Sequence, residues 1–266
     1  MQPSEFGPLR VFIGWDSKEP LAFAVAAHSI LRRSSRPVQI IPLALSSLRK
    51  VYTRERGVTE STEFSLTRFL VPYLSGYHGL SVFMDCDVLV QADIYELLAY
   101  PLAYPGHAVF CCQHDYIPKA LTKFDGHEQT KYPRKNWSSV MLFVNDQCQA
   151  LTPGYVNAAP GLQLHRFHWL TYSKAFTDQE YESDSRLYGE SNGVVRERTD
   201  VIGSLPLAWN WLVGEYEPNP DAKILHYTNG GIWQRPEYSD IPETELWLRE
   251  LDLMLGRAKA LGGVLV

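Results

Sequence analysis

The chain has 266 residues, of which 45% are hydrophobic and 21% are charged, enough apolar content for the core of one large α/β domain. Its net charge of −5 argues against a nucleic-acid partner, although a bound metal can still attract an anionic substrate. No stretch approaches the ~20 apolar residues of a membrane span, and the first residues lack the pattern of a secretory signal. The expected location is therefore the cytoplasm, including the inner face of a membrane.

The N-terminal part of the chain predicts the start of a doubly wound α/β domain. Residues 9–13 form an apolar run typical of a buried strand, and residues 21–31 carry apolar side chains at helical spacing. Asp16 and Glu19 have the spacing of a capping box for that helix. Residues 37–43 predict a second strand, which completes a strand–helix–strand unit.

Gly14, Trp15 and Asp16 follow the first predicted strand directly. Because open α/β sheets bind ligands at the carboxyl ends of their strands, these three are candidate nucleotide-binding residues. The Trp15 ring is suited to stack on a base, and the Asp16 carboxylate to accept from a ring N–H. A helix cap beside a buried tryptophan is the structural alternative.

Residues 62–74 predict a second helix with an apolar face that includes Phe64 and Phe69. Arg68 lies within this face, and a guanidinium in apolar surroundings requires an anion. The carboxylate of Asp85 and a diphosphate fit this requirement equally well. Either partner would make Arg68 part of a ligand site.

Residues 81–90 carry two carboxylates, Asp85 and Asp87, inside an otherwise apolar run. Aspartate is depleted in strands and is almost never fully buried unless it is paired or bound to a metal. Oxygen ligands suit Mg²⁺ and Mn²⁺, which can also bind the phosphates of a nucleotide diphosphate. The spacing alone leaves a metal site and a simple strand end with a turn equally open.

The part of the chain after residue 90 predicts further elements and two long connections. The predicted elements are a short helix at 93–98, strands at 108–112 and 139–144, and an amphipathic helix at 244–261 within the C-terminal segment 241–266. The polar connection 113–138 is interpreted as a substrate-facing loop. Segment 171–200 is interpreted as an insertion, either a lid or a surface excursion.

A short apolar strand ends at His226 and is followed by Gly230, Gly231 and Trp233. Neutral histidine is a suitable third ligand for Mn²⁺ beside two carboxylates. The two glycines allow the backbone to approach a ligand closely. These features favour His226 as a metal ligand over a histidine that merely fills the core.

Three of these segments resemble glycosyltransferase family 8, the group that includes glycogenin and the lipopolysaccharide galactosyltransferases. The matching segments are residues 61–72 leading into 83–90, the strand 139–143, and the loop after His226. The resemblance implies a single GT-A (Rossmann-like) domain with a mostly parallel central sheet, in which residues 9–145 form the nucleotide-sugar-binding core. It also implies a UDP-sugar donor, Mn²⁺ or Mg²⁺, and transfer with retention at the anomeric carbon.

By this resemblance, Asp85 contacts the metal and the ribose or sugar, while Asp87 and His226 bind the metal. Trp137 and Ser138 stand where the family has its Asn-Ala-Gly segment near the donor sugar, so they are expected to contact donor and acceptor. The acceptor is a glycan, lipid or protein that the sequence does not identify. Two other functions remain open: a metal-dependent nucleotidyl or phosphoryl transferase, and a catalytically silent nucleotide-sugar-binding protein.

Overall fold

The computed structural model describes residues 7–57, 60–115, 134–170, 201–234 and 236–257. The strands within these residues are β1 (Leu9–Gly14), β2 (Val38–Leu43), β3 (Leu80–Met84), β4 (Val88–Val90), β5 (Val109–Cys112), β6 (Val140–Val144), β7 (Ile202–Leu205), β8 (Trp211–Leu212) and β9 (Ile224–His226). The α-helices are α1 (Pro20–Arg33), α2 (Val71–Leu74), α3 (Ala99–Ala103), α4 (Pro153–Ala158), α5 (Gly161–His165) and α6 (Pro242–Met254).

Six strands form the larger sheet in the order β2-β1-β3-β6-β5-β7. β6 runs antiparallel to both of its neighbours, and the other pairs are parallel. The inner strands read as continuous apolar runs, typical of a sheet that is covered on both faces. This architecture confirms the prediction of an α/β fold with a mostly parallel central sheet.

A second sheet of three strands, β4-β9-β8, lies at the end of the predicted metal-binding segment. The chain leaves the larger sheet at Met84, passes through Asp85, Cys86 and Asp87, and enters the smaller sheet as β4. The three residues between the strands therefore connect the two sheets. The strand end that the sequence left open at the two aspartates is therefore present, together with a second strand after them.

The C-terminal helix α6 packs on α1 through a buried ion cluster. Glu250 is 2% exposed, and its carboxylate accepts hydrogen bonds from Arg32 and Arg33 and contacts His28 Nδ1 at 2.7 Å. Burial by itself raises the pKa of Glu250, but its hydrogen bonds with the two arginines and their charges lower it to about 2. The cluster holds the amphipathic helix that the sequence predicted against α1.

Two predicted helices have different bounds in the structure. Residues 62–66 form turns, and the helical part begins only with the 3₁₀ helix Thr67–Leu70, which continues into α2. α6 begins at Pro242, where proline is favoured in the first turn, and ends at Met254 rather than 261.

No helix among the described residues is long and apolar enough to cross a membrane. Segments 116–133 and 171–200, and with them most of the predicted loop and the whole insertion, lie outside the described residues.

Candidate metal centre

Asp85, Asp87 and His226 meet where the two sheets join. One ligand atom from each residue lies within 4.8 Å of the other two. His226 Nε2 is 3.4 Å from Asp87 Oδ1 and 4.0 Å from Asp85 Oδ2. His226 is 2% exposed. The imidazole is therefore buried, whereas the two carboxylates are partly exposed.

Backbone pairing places these three side chains. Val88 lies opposite His226 in the antiparallel pair of β4 and β9, and the Tyr227 amide donates to the Asp87 carbonyl at 2.9 Å. On the other side, the Asp85 amide donates to the Ser139 carbonyl at 2.9 Å. The segment between the two sheets is therefore held by backbone hydrogen bonds at both aspartates. Both carboxylates face His226 Nε2 as a result.

Arg68 pairs with the first of the two aspartates. Its Nη1 lies 2.8 Å from Asp85 Oδ1 and donates to the Ser138 carbonyl at 2.9 Å. Arg68 as a whole residue is 5% exposed, and its guanidinium lies over the rings of Phe64 and Phe83 at 5.4 Å and 4.9 Å, a cation–π arrangement. The sequence left two anions open as the partner of Arg68, and the structure pairs Arg68 with the Asp85 carboxylate.

The donor set suits a divalent cation such as Mn²⁺ or Mg²⁺, since it combines two carboxylates with one imidazole. Asp87 Oδ1 is buried and makes no hydrogen bond within the described residues, although buried carboxylate oxygens are normally paired. Burial lowers the pKa of His226, but the charge of Asp87, the contact with it and the charge of Asp85 together raise it. Two anionic groups thus draw positive charge to this position, and the residues fit a metal ion.

Sequence reasoning missed two further residues behind this centre: Asn210, which contacts His226, and His114, which contacts Asn210. Asn210 is fully buried, and its Oδ1 lies 2.9 Å from His226 Nδ1. Its Nδ2 lies 3.0 Å from His114 Nε2 and 2.8 Å from Ser139 Oγ. An asparagine between two tryptophans and a lone histidine carry no local pattern. The predicted strand at 108–112 could have drawn attention to His114, which follows it closely. Asn210 ends the 3₁₀ helix Leu207–Asn210, and no strand directly before it marks its position.

Gly14, Trp15 and Asp16 lie at the end of β1, as predicted, but the capping box does not form. The N-cap of α1 is Glu19, and it makes no side-chain cap hydrogen bond. The Asp16 carboxylate instead accepts from the backbone amides of Lys18 and Glu63 at 2.9 Å and 3.0 Å. The loop after β1 is therefore fixed to the segment before Arg68.

Packing accounts for the first glycine and orients the tryptophan. A Cβ on Gly14 would lie 2.4 Å from the Phe64 ring, which explains the absence of a side chain there. Trp15 packs edge-on against Phe23, with ring centroids 5.1 Å apart.

The loop after His226 closes against the start of α1. Trp233 Nε1 and Gln234 Nε2 both donate to Glu19 Oε1, at 3.2 Å and 2.6 Å. Burial and the charge of Asp87 raise the pKa of Glu19 to about 7, against the opposing effect of the Trp233 hydrogen bond. Glu19 thus joins the two ends of the candidate site, a role that the capping-box interpretation did not anticipate.

Gly230 and Gly231 of this loop each favour glycine, but for different structural reasons. Gly230 adopts a φ of 92°, which favours glycine. A Cβ on Gly231 would lie 2.0 Å from the Trp233 ring, so this glycine makes room for the indole. Trp233 in turn packs on Trp247 of α6, with ring centroids 4.9 Å apart. Arg235, which follows this loop, lies outside the described residues.

Trp137 and Ser138 lie immediately before β6, beside the metal centre. Ser138 is 4% exposed, and its Oγ lies 2.7 Å from His165 Nδ1. Trp137 is half-buried, and its Nε1 donates to the His114 carbonyl at 2.9 Å. Through the Arg68–Ser138 hydrogen bond, this segment is connected directly to Asp85.

Comparison with solved structures identifies the fold. The WbbM bifunctional glycosyltransferase and the glycosyltransferase GlyE of Streptococcus pneumoniae TIGR4 both superpose with a TM-score of 0.51, at 16% and 13% identity. Each match covers 94% of this chain, which spans 53% of the WbbM chain and 63% of the GlyE chain. The fold is therefore that of the GT-A glycosyltransferases.

Comparison of sequences identifies the family. No protein-family model matches the chain. Protein CDI of Arabidopsis thaliana is 44% identical over 258 residues, which cover 94% of this chain and 88% of that protein. Identity at this level over nearly the whole of both chains leaves no doubt of common descent. The chain belongs to the family of Protein CDI, and its fold is the GT-A glycosyltransferase fold.

Proposed function

We propose that the protein is a metal-dependent glycosyltransferase of the family 8 type, which moves a sugar from a UDP-sugar to a glycan, lipid or protein acceptor with retention. The observation that carries this proposal is the convergence of Asp85, Asp87 and His226 within 4.8 Å on a GT-A fold. Three such groups are sufficient protein ligands for Mn²⁺ or Mg²⁺ while leaving positions for phosphate oxygens. In a protein with a net negative charge, such a cation supplies the local positive charge for a diphosphate.

In this proposal Asp85, Asp87 and His226 hold Mn²⁺ or Mg²⁺, which would offset the negative charge that grows on the departing diphosphate. Arg68 keeps Asp85 oriented through its 2.8 Å ion pair and adds a positive charge at the same place. Its second hydrogen bond, to the Ser138 carbonyl, keeps the donor-sugar segment in register with the carboxylates. Positioning of this kind lowers the barrier because the groups need not reorganise during the reaction.

The remaining predicted residues bind the two ends of the donor. Gly14, Trp15 and Asp16 at the end of β1 bind the nucleoside, and Gly230, Gly231 and Trp233 bind the diphosphate from the other side. Trp137 and Ser138 contact the donor sugar and the acceptor. The hydrogen bonds from Trp233 and Gln234 to Glu19 support this arrangement, because they hold the nucleoside side and the diphosphate side of the site together.

Thermal unfolding with UDP, with Mn²⁺ and with both tests the binding part of the proposal. A ligand at 100 times its dissociation constant stabilises by about 2.7 kcal/mol. An unfolding entropy of about 2.1 cal/mol/K per residue converts this to a shift of about 5 °C for 266 residues. UDP is expected to stabilise the wild type only when Mn²⁺ is present.

Asp87→Asn preserves the size of the side chain but removes its charge, and it should abolish this shift. Asp146→Asn is the matched control, because Asp146 is exposed and lies after β6. UDP release from a panel of UDP-sugars then tests catalysis. UDP binding without turnover would favour the catalytically silent alternative, and no response to Mn²⁺ with UDP, ADP or GDP would refute the nucleotide-sugar site itself.

A further inference from the structure

We infer that Asn210 is a positioning residue for the metal centre: its amide oxygen holds a proton on His226 Nδ1 and so directs the Nε2 lone pair toward Asp85 and Asp87. The inference rests on the proposed metal site and adds to it a residue from outside the predicted motifs. Asn210 lies 16 residues before His226 and reaches it at 2.9 Å from inside the core.

The orientation of the Asn210 amide follows from its other contacts. The atom assigned as Nδ2 lies 3.2 Å from the Asn136 carbonyl oxygen, and a backbone carbonyl can only accept a hydrogen bond. If the amide were turned over, two oxygens would face each other at this distance. The Asn136 carbonyl therefore determines which end of the amide faces it.

Ser139 supports the same orientation. Its hydroxyl donates to the Asn136 carbonyl at 2.7 Å, so its single proton is already used and its oxygen is available to accept. It accepts from Asn210 Nδ2 at 2.8 Å. Asn136 has a left-handed backbone with φ 61°, a conformation that asparagine tolerates better than most residues.

His114 completes the donor side of the amide. Burial, with a smaller effect from His226, lowers the pKa of His114 to about 3, so its ring is neutral at physiological pH and one nitrogen can accept. Nε2 lies 3.0 Å from Asn210 Nδ2 and takes that role. Nδ1 therefore carries the proton and donates to the Tyr216 hydroxyl, 2.9 Å away.

The two hydrogens of the Asn210 amide nitrogen are thus shared among His114, Ser139 and the Asn136 carbonyl, which leaves only the oxygen for His226. An oxygen acceptor at Nδ1 requires an N–H there. Without this acceptor, the proton of a neutral imidazole would be drawn to Nε2, which faces the two carboxylates at 3.4 Å and 4.0 Å. A proton at that atom competes directly with a metal. Groups that fix the second nitrogen of a ligand histidine in this way typically change metal affinity 10–100-fold when they are removed.

Mn²⁺ binding to the full chain, measured by electron paramagnetic resonance of the free ion, tests the inference. Asn210→Ala is expected to weaken Mn²⁺ binding about 10–100-fold. Asn210→Asp retains an oxygen acceptor at His226 and should bind Mn²⁺ at least tenfold more tightly than Asn210→Ala. The control is Asn157→Ala on α4. Asn157 accepts from the Thr53 amide at 2.8 Å and donates to the Val51 carbonyl at 2.8 Å, so this variant also loses two side-chain hydrogen bonds; it should lower the unfolding midpoint without changing Mn²⁺ affinity.

A spectroscopic measurement separates positioning from general stability. With diamagnetic Zn²⁺ bound and histidine labelled with ¹⁵N, the wild type should give a slowly exchanging proton on His226 Nδ1, which Asn210→Ala should lose. Equal Mn²⁺ affinity of Asn210→Ala and wild type would overturn the inference, as would an equal loss in Asn157→Ala. If the wild type itself fails to bind Mn²⁺, both the proposed function and this inference are overturned. The results for Asn210→Ala described above would overturn the inference alone, so the two failures are distinguishable.

Discussion

Replacement of Arg68 by methionine tests how the candidate centre balances its charges. Arg68 and the Asp85 side chain are 6% and 15% exposed and 2.8 Å apart. Removing one member of a buried ion pair costs about 3–5 kcal/mol, because the other charge stays buried without its partner. With about 0.56 kcal/mol/K of unfolding entropy for 266 residues, this corresponds to a decrease of about 5–9 °C in the melting temperature of the metal-free protein.

The same substitution should cost less when a metal is bound. If Asp85 is a metal ligand, saturating Mn²⁺ supplies the positive charge that Arg68 no longer provides. Thermal unfolding of wild type and Arg68→Met, each in EDTA and in Mn²⁺, gives the coupling between guanidinium and metal. Arg68→Lys is the control variant, since it keeps a charge near Asp85 but cannot hold Asp85 and the Ser138 carbonyl with one planar group.

Two results would refute this reasoning. A loss of less than about 1 kcal/mol in EDTA would show that the pair is no stronger than a surface salt bridge. An equal loss in EDTA and in Mn²⁺ would show that Asp85 does not bind the metal. A double-mutant cycle with Asp85→Asn should reduce the effect of Arg68→Met, because the two residues are in direct contact.

Three other predictions concern stability and pH. The lowered pKa of Glu250 stabilises the fold above pH 4.5 by about 3 kcal/mol, at 1.36 kcal/mol per pKa unit. This contribution should be lost as pH falls from 4.5 to 2. Urea unfolding should show no such loss in Glu250→Gln. The raised pKa of Glu19 acts in the opposite direction: in metal-free protein, the free energy of unfolding should decrease as pH rises from 4.5 to about 7 and the buried carboxyl loses its proton. Glu19→Gln should therefore be more stable than wild type at pH 8 but not at pH 4. An equal difference at both pH values would contradict this expectation. Gly14→Ala should cost about 1–3 kcal/mol by overpacking against the Phe64 ring, and Phe64→Leu should recover part of that loss in the double variant; a neutral Gly14→Ala would show that the ring moves freely.

The candidate centre differs from a site built within one sheet. Its ligands come from the connection between β3 and β4 and from the last residue of β9, which is paired with β4. The pairing of β4 with β9 therefore determines whether His226 can face the two aspartates. A substitution that weakens this short pairing should reduce metal binding even though it touches no ligand atom.

Local sequence patterns were sufficient for the central elements of the fold. β1, β3 and β6 are apolar runs bounded by polar or glycine residues, and such runs depend mainly on their own residues. The two aspartates inside an apolar run, and the histidine before two glycines, violate the pattern of a buried strand strongly enough to identify them as candidate ligands. Violations of this kind are expected at functional sites.

Local patterns failed where distant residues compete for the same groups. The capping box was wrong because Asp16 accepts instead from the Glu63 amide, 47 residues away. The predicted helix at 62–74 was wrong in its first turn, where residues 62–66 form turns beside that contact. Helical spacing of apolar residues does not distinguish a helix from a segment of turns that buries the same side chains.

The partners of buried polar groups were decided only by the tertiary structure. The sequence indicated that Arg68 needs an anion, but the adjacency of β3 and β6 in the sheet brings it to Asp85 and the Ser138 carbonyl together. Asn210 reaches His226 only because β8 and β9 are parallel neighbours. Hydrogen bonds are short and directional, so residues far apart in the chain become partners only after the order and register of the strands have placed them side by side.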